Sequence, residues 1–288
     1  MNPPSSVEIT DNYQKEIELK RSLLQHHTSR CFHAFPHTKQ AQWEALELVI
    51  EHLTTFYPAH FSIKKEGDIW TFENKILDEK VTFCFGDDSE MEHPLNFIGR
   101  HVQEDLILML QKDSDLFLDA GQLCFPANWS IAFNHGMSFR DLHFPIPGFK
   151  EEGLDERILR FLLKLEAGNP WWRKNWSLMA GNRLDTSLET FAEWGKLRGQ
   201  VTADNAGHLV HVRVEVQKLF RLPGTHSILF TIHTHLLSLE KLIANPAWHR
   251  QFYQIIKELP ASIAEYKGIS LYRDSVLAYL EKYMERKG

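Results

Sequence analysis

The sequence predicts an α+β protein, an antiparallel sheet flanked by helices, and three observations lead there. In "HVRVEVQKLF" (211–220), Val212, Val214 and Val216 hold one parity, while His211, Arg213, Glu215 and Gln217 hold the other. That is the alternation of a half-buried strand. The strand, read over 209–221, is joined to a second at 227–235 by "RLPGTHS", where Pro223-Gly224 signals a turn. Helical periodicity gathers instead near the two ends of the chain, and the strands between are short and do not alternate with helices as a parallel sheet requires.

The elements follow in order. Residues 12–28 and 39–56 read as amphipathic helices; in "AQWEALELVIEHL", Trp43, Leu46, Val49, Ile50 and Leu53 recur at helical spacing. Pro58 ends the second of these, because it disfavours helical geometry at Tyr57. Strands are expected at 61–64, 69–73 and 81–86, with Gly67-Asp68 as turn chemistry. "NFIGRHVQEDLILMLQ" (96–111) is read as a helix and "LFLDAGQLCFP" (116–126) as extended chain. A turn-rich stretch to Phe149, a helix over 154–166, a strand near 175–180 and a polar helix or loop to residue 200 precede the paired strands. Helices over 236–258 and 268–286 close the chain, and no repeat or low-complexity linker divides it.

Composition bounds the function. The 288 residues allow one large domain or two modest ones, and 43% hydrophobic with 24% charged residues is ordinary for a globular chain. A net charge of -6 without a Lys/Arg-rich tract argues against nucleic acid as the partner. "MNPPSSVEITDN" has no basic stretch followed by an apolar one, so no secretory signal is read there. No apolar run approaches the roughly 18 residues of a membrane span. Cys31, Cys84 and Cys124 are widely separated in sequence, which excludes a disulfide framework and a Cys-only zinc or iron–sulfur site. The expectation is a reduced, cytoplasmic protein. Sixteen histidines is a high count for this length, and histidine is both the commonest metal ligand and a tunable base.

Four candidates for chemistry stand out. In "CFPANWSIAFNHGMSFRDLHFPIPGF" (124–149), His143 closes a short helical turn that "PIPG" stops, which fixes the side chain as a metal or haem ligand needs. Its apolar company, Leu142, Phe144, Ile146 and Phe149, suits a flat cofactor better than a bare ion; the competing reading is a core histidine bonded to a carbonyl. Cys124 could supply an axial thiolate, against the commoner role of a small buried hydrophobe. His233 and His235 share one strand face and could hold a transition metal with His211 or Glu215 as third ligand, against an exposed or edge face. Arg213, Glu215 and Gln217 are either a solvated row with a surface ion pair or a buried row beside a site, where each group would need partners.

Taken in order, the motifs resemble the haem-dependent oxidative N-demethylase alpha-subunit-like family. The resemblance runs through "YQKEIELKRSLL" (13–24), "YPAHF" (57–61), "VQEDLILML" (102–110), "LCFPANW" (123–129) and "LHFPIPGF" (142–149). It continues in "RKNWSL" (173–178), "RVEVQKLFRLPGTHSILFTIHT" (213–234) and "LPASIAEYKG" (259–268). It implies a single PAS-like domain over 1–288 carrying haem b, with flanking helices over 12–56 and 236–286. The implied activity is oxidation of a small amine with O2, the N-methyl group leaving as an aldehyde. The resemblance also implies that electrons come from separate flavin and iron–sulfur reductase components; consistent with it, this chain shows neither a cluster motif nor a GxGxxG fingerprint. On this resemblance His143 is the implied haem-iron ligand, and Arg213, Glu215 and Gln217 become the polar wall. Arg221 becomes a propionate partner, and Trp129 and Trp176 pack on the macrocycle. Two alternatives stay open: a non-catalytic haem, gas or small-ligand sensor, and a non-haem metal site on His233 and His235. The chain departs from the family pattern at His233 and His235, where a basic residue and an aromatic are expected, and at Val216, where an arginine is expected. Val216 lies on the parity opposite Arg213, so its change concerns the other sheet face.

Overall fold

The computed structural model describes residues 5–285; positions 1–4 and 286–288, which the expected domain and last helix include, lie outside the described residues. The strands are β1 (Phe32–Ala34), β2 (Phe61–Glu66), β3 (Ile69–Asn74), β4 (Glu79–Cys84), β5 (Asp105–Lys112), β6 (Asp115–Gln122), β7 (Trp171–Ala180), β8 (Val210–Arg221) and β9 (Ile228–Ser238). They form two antiparallel sheets, a large one in the order β1-β6-β5-β9-β8-β7 and a small one in the order β2-β3-β4. With helices before, between and after them, the fold is α+β. None of the described helices is long and apolar enough to cross a membrane.

Several expectations are corrected. The stretch 96–111 is not one helix: Pro94–Gly99 is a short helix and Asp105–Lys112 is β5. β5 sits between β6 and β9, and Leu106, Ile107 and Leu108 are all almost fully buried. A strand covered on both faces is apolar at every position and loses the two-residue period by which a half-buried strand is read. Helices cover both faces of the large sheet, where one was expected. β1 was not anticipated, and β9 runs to Ser238, past the point where a helix was expected.

The β8–β9 pairing decides which side each residue joins. Arg213 pairs with Leu236, Glu215 with Thr234, Gln217 with Ile232 and Leu219 with Phe230. Directly opposed residues share a face, so odd positions of β8 lie with even positions of β9. On this first face Ile107, Met109, Ile228 and Ile232 pack with Phe139, Phe149, Leu159 and Leu162 from the helices Phe139–His143 and Leu154–Leu163 and the turn between. On the second face Leu106, Leu108, Phe220 and Leu229 join Ile17, Leu24, Leu46 and Ile50 of the helices Tyr13–His26 and Lys39–Phe56. Farther along that face, Val210 and Val212 meet Phe252, Ile256, Val276 and Leu280 of the helices Pro246–Glu258 and Arg273–Glu285.

Polar anchors pin the connections. Glu44 accepts hydrogen bonds from the Gly224 and Thr225 amides at 2.6 and 2.9 Å, and so fastens the β8–β9 turn to helix Lys39–Phe56. A Cβ on Gly224 would run into that carboxylate. Asp105 accepts the Cys124 and Phe125 amides at 2.7 and 2.9 Å, which fixes the chain leaving β6. Burial pushes the Asp105 carboxyl up to about 6, against the pull of Lys20 at 3.9 Å.

His101 is an internal titrating group whose ring meets Phe72 and Phe97 edge-on. Burial, with the Arg21 charge adding to it, lowers its pKa to about 4. A depressed histidine contributes stability that is complete above its unfolded value near 6.5 and is lost as pH falls through 4. Urea unfolding should therefore lose on the order of 3 kcal/mol from His101 between these pH values. His101→Gln should flatten that slope.

Candidate functional site

The polar row at the odd positions of β8 is buried. Arg213 is 1% exposed, and Glu215 and Gln217 are each 7% exposed. Every nitrogen of the Arg213 guanidinium is engaged. Nε donates to Glu215 Oε1 at 3.3 Å, Nη1 to the Leu184 carbonyl at 2.8 Å, and Nη2 to Thr234 Oγ1 at 3.0 Å and to the Phe125 carbonyl. Glu215 Oε2 accepts from Gln217 Nε2 at 2.9 Å and from Asn175 Nδ2 at 3.4 Å. Gln217 Oε1 in turn accepts from Arg173 Nε at 2.8 Å. The result is a continuous chain, Arg213–Glu215–Gln217–Arg173, with a cation at each end and one carboxylate between. Burial lowers the Arg213 pKa, and the Glu215 charge opposes it. A row this well partnered escapes the penalty of unpaired buried polar groups.

At the Arg213 end lies a cavity of about 150 Å³, lined by Asn175, Ser177 and Arg213 from the sheet, by Asn128 and Thr186, and by Trp194, Arg198, Tyr266 and Lys267. A cavity of about this size in another protein holds benzene, so the space suits a ligand of a few heavy atoms. The Nε of Arg198 is buried without a partner among the described residues. Lys267 donates to the Trp176 carbonyl at 2.6 Å, and burial lowers its pKa while Glu215 raises it. None of Asn175, Arg198, Tyr266 and Lys267 was singled out from sequence. Only tertiary folding brings the loop before 200 and the segment 266–268 over β7.

His143 stands near the Arg173 end and does not line the cavity. It is the last residue of helix Phe139–His143, half-buried, with its ring stacked on Phe149 at 5.2 Å and tilted against Phe139 at 4.3 Å. Its Nδ1 donates to the Phe139 carbonyl at 2.8 Å. Burial, with the Arg173 charge adding to it, lowers its pKa, so the ring is held neutral. A neutral imidazole with Nδ1–H on a carbonyl presents Nε2 as a lone-pair donor, the usual arrangement of a metal-ligating histidine. Around it the first face opens outward: Trp171 is 54% and Phe144 75% exposed, and Phe161 meets Trp171 edge-on at 4.7 Å.

The other candidates scatter. Trp129 is half-buried against the apolar cluster of the first face. Trp176 is on the second face, edge-on to Phe252 at 6.0 Å and beneath Lys267, because its parity on β7 is opposite that of Arg173 and Asn175. Arg221 shares the first face, but its three nitrogens bond the carbonyls of Leu165 (2.9 Å), Leu162 (2.6 Å) and His226, tying the end of helix Leu154–Leu163 to the β8–β9 turn. Cys124 is buried and in hydrogen-bond contact with Cys31, and burial pushes its thiol well up, so it offers no thiolate. His233 and His235 lie opposite Val216 and Val214 on the second face, so neither His211 nor Glu215 can be their third ligand.

A family model described as "Haem-dependent oxidative N-demethylase, alpha subunit-like" matches residues 1–277 of the 288. The chain belongs to this family. In this N-demethylase-like chain the hydrogen-bonded series Arg213–Glu215–Gln217–Arg173 lies on one face of the large sheet, with the neutral histidine near its Arg173 end. The family description names haem dependence and an alpha subunit, and so a system of more than one component.

Arg213→Met leaves Glu215 without its buried cation and two carbonyls without a donor. Loss of one partner of a buried pair costs about 3–5 kcal/mol, and urea unfolding should show a loss of that order. Arg213→Lys should restore only part of it, because an ammonium cannot reach four acceptors with a planar fork.

Proposed function

We propose that this chain is the haem-binding component of an oxidoreductase that N-demethylates a small amine with O2, in a cytoplasmic setting. The observation that carries the reading is His143: a neutral imidazole whose Nδ1 is fixed on a carbonyl, at one end of the buried row whose other end borders a small cavity. The family match supports it. The order β6-β5-β9-β8-β7, with helices inserted between β6 and β7 and packed on one face, supports the PAS-like reading of a single domain.

The donor set fits haem b. His143 Nε2 would hold the iron, and the exposed rings of Phe144, Phe161 and Trp171, with half-buried Trp129, would offer apolar surface to a flat macrocycle. The cavity of about 150 Å³ is too small for a tetrapyrrole, so the group would lie outside it, against the exposed rings near His143, and the cavity is left for substrate. Exposed Arg173 would meet a propionate; Arg198 lines the cavity left for substrate, and Arg221 is committed elsewhere. When bound, haem supplies the redox chemistry with O2.

The chain's own residues orient and balance charge. Glu215, bonded to Asn175, offsets the cations Arg213 and Lys267 that line the cavity, so a small amine would enter it uncharged. Arg213 and Gln217 hold that carboxylate in one orientation, so it needs no reorganisation as charge develops. In the overall reaction one oxygen atom of O2 leaves in the aldehyde and the other in water. Two electrons come from a partner flavin and iron–sulfur reductase, and two protons come from solvent. A second reading, a haem-based gas or small-ligand sensor, draws on the same small cavity, whose size also suits a diatomic.

The purified or haem-reconstituted protein should show a Soret band, and His143→Ala should lose or shift it; a protein that stays colourless with haem sinks the proposal. With an artificial reductant and a small N-methylamine, the enzyme should consume O2 and release formaldehyde in step. A Soret band with gas binding but no amine-dependent O2 uptake would leave the sensor standing instead.

A further inference from the structure

The second face of the large sheet carries a cluster that the haem reading does not use. β9 places His233 and His235 on that face, their rings parallel with centroids 4.4 Å apart and 9° between planes. Glu8, in the segment before helix Tyr13–His26, brings Oε2 to 3.6 Å from His235 Nε2. One ligand atom each from Glu8, His233 and His235 fall within 4.8 Å of one another. Glu104 is fully buried against them. Its Oε1 lies 2.8 Å from His233 Nδ1 and accepts the Glu8 amide at 2.7 Å, while its Oε2 has no hydrogen-bond partner among the described residues.

We propose that Glu8, His233 and His235 form a non-haem site for a divalent transition-metal ion, with Glu104 as the residue that positions His233. Two imidazoles and one carboxylate are the donor set of three-ligand zinc sites and of non-haem Fe(II) sites, and both leave open positions for water or substrate. The two-residue spacing on a strand puts both rings on one side. With Nδ1 of His233 taken by Glu104, Nε2 is the nitrogen presented, the carboxylate–histidine–metal arrangement. His233 is buried, whereas the His235 and Glu8 side chains are 39% and 43% exposed, so an ion can enter from solvent.

Glu8 is not on a free tail. Lys218 Nζ donates to the Ser5 carbonyl at 2.6 Å, Thr231 Oγ1 to the Ser6 carbonyl at 2.8 Å, and the Thr10 amide to Gln103 Oε1 at 2.9 Å. Val7 between them is buried. The strap thus holds the carboxylate against β9 before any ion arrives, which lowers the ordering cost of binding. The site lies on the sheet face opposite Arg213, Glu215 and Gln217, so it is independent of the haem reading.

Calorimetric titration of the full-length, chelator-treated protein with ZnCl2, followed by metal analysis after desalting, tests the site. One equivalent of zinc is expected. His235→Ala and Glu8→Gln, both at half-exposed positions where folding should survive, should weaken binding by at least about tenfold, and Glu104→Gln by about 10–100-fold, the usual range for an outer partner. His143→Ala should leave zinc binding unchanged whatever it does to the haem spectrum. No stoichiometric zinc, or zinc that binds equally to His235→Ala and Glu8→Gln, would overturn the proposal and leave a carboxylate–imidazole network only.

Discussion

Four separate pieces of chain meet at the Arg213 guanidinium. It binds Glu215 on its own strand, Thr234 on the neighbouring strand, the Phe125 carbonyl in the chain leaving β6, and the Leu184 carbonyl in the chain leaving β7. The last two are loop carbonyls with no ladder partner from the sheet, and a buried carbonyl left unpaired is costly. A planar, always-charged fork is the one side chain that can serve all of these from one position. The loops that wall the cavity, 125–130 and 181–200, are therefore located by the same residue that lines it. Asp105 adds the second constraint on the first loop by taking the Cys124 and Phe125 amides.

From that clamp the sheet divides the chemistry. The first face grades from apolar over β5 and β6 to polar over β7 and β8, so the hydrogen-bonded series Arg213–Glu215–Gln217–Arg173 borders an apolar floor near His143. The second face is apolar under the N- and C-terminal helices, except at β9, where His233, Glu104 and the strap bearing Glu8 interrupt it. There burial opposes both charges, yet their mutual attraction holds Glu104 below and His233 above the usual range. Two polar sites on opposite faces of one sheet have no shared side chain, because strand parity assigns each residue to one face only.

Much of this was legible in the residues, and the failures have physical causes. The β8–β9 pair was readable because one of its faces is polar, so the period of two survives burial. β5 was not, because covering both faces erased the period in "DLILMLQ". The helix ending at His143 was readable from the prolines that stop it. The fates of Arg221 and Trp176 were not, since an arginine looks the same whether its donors meet propionates or carbonyls, and a tryptophan's parity on an irregularly patterned edge strand is ambiguous. The third ligand beside His233 and His235 lies over two hundred residues away at Glu8, a distance that no local spacing encodes.

The sequence by itself determined the α+β class, the strand that carries Arg213, Glu215 and Gln217 on one side, and the family. These depend on local periodicity and on the order of motifs, which are properties of the chain before it folds. Only the tertiary structure decided that the row is buried and internally partnered, that Asn175, Arg198, Tyr266 and Lys267 close a cavity at its end, and that Glu8 and Glu104 meet two histidines on the opposite face. Burial and partnership arise between segments distant in sequence, so alternation along one strand states which residues are neighbours but not what covers them.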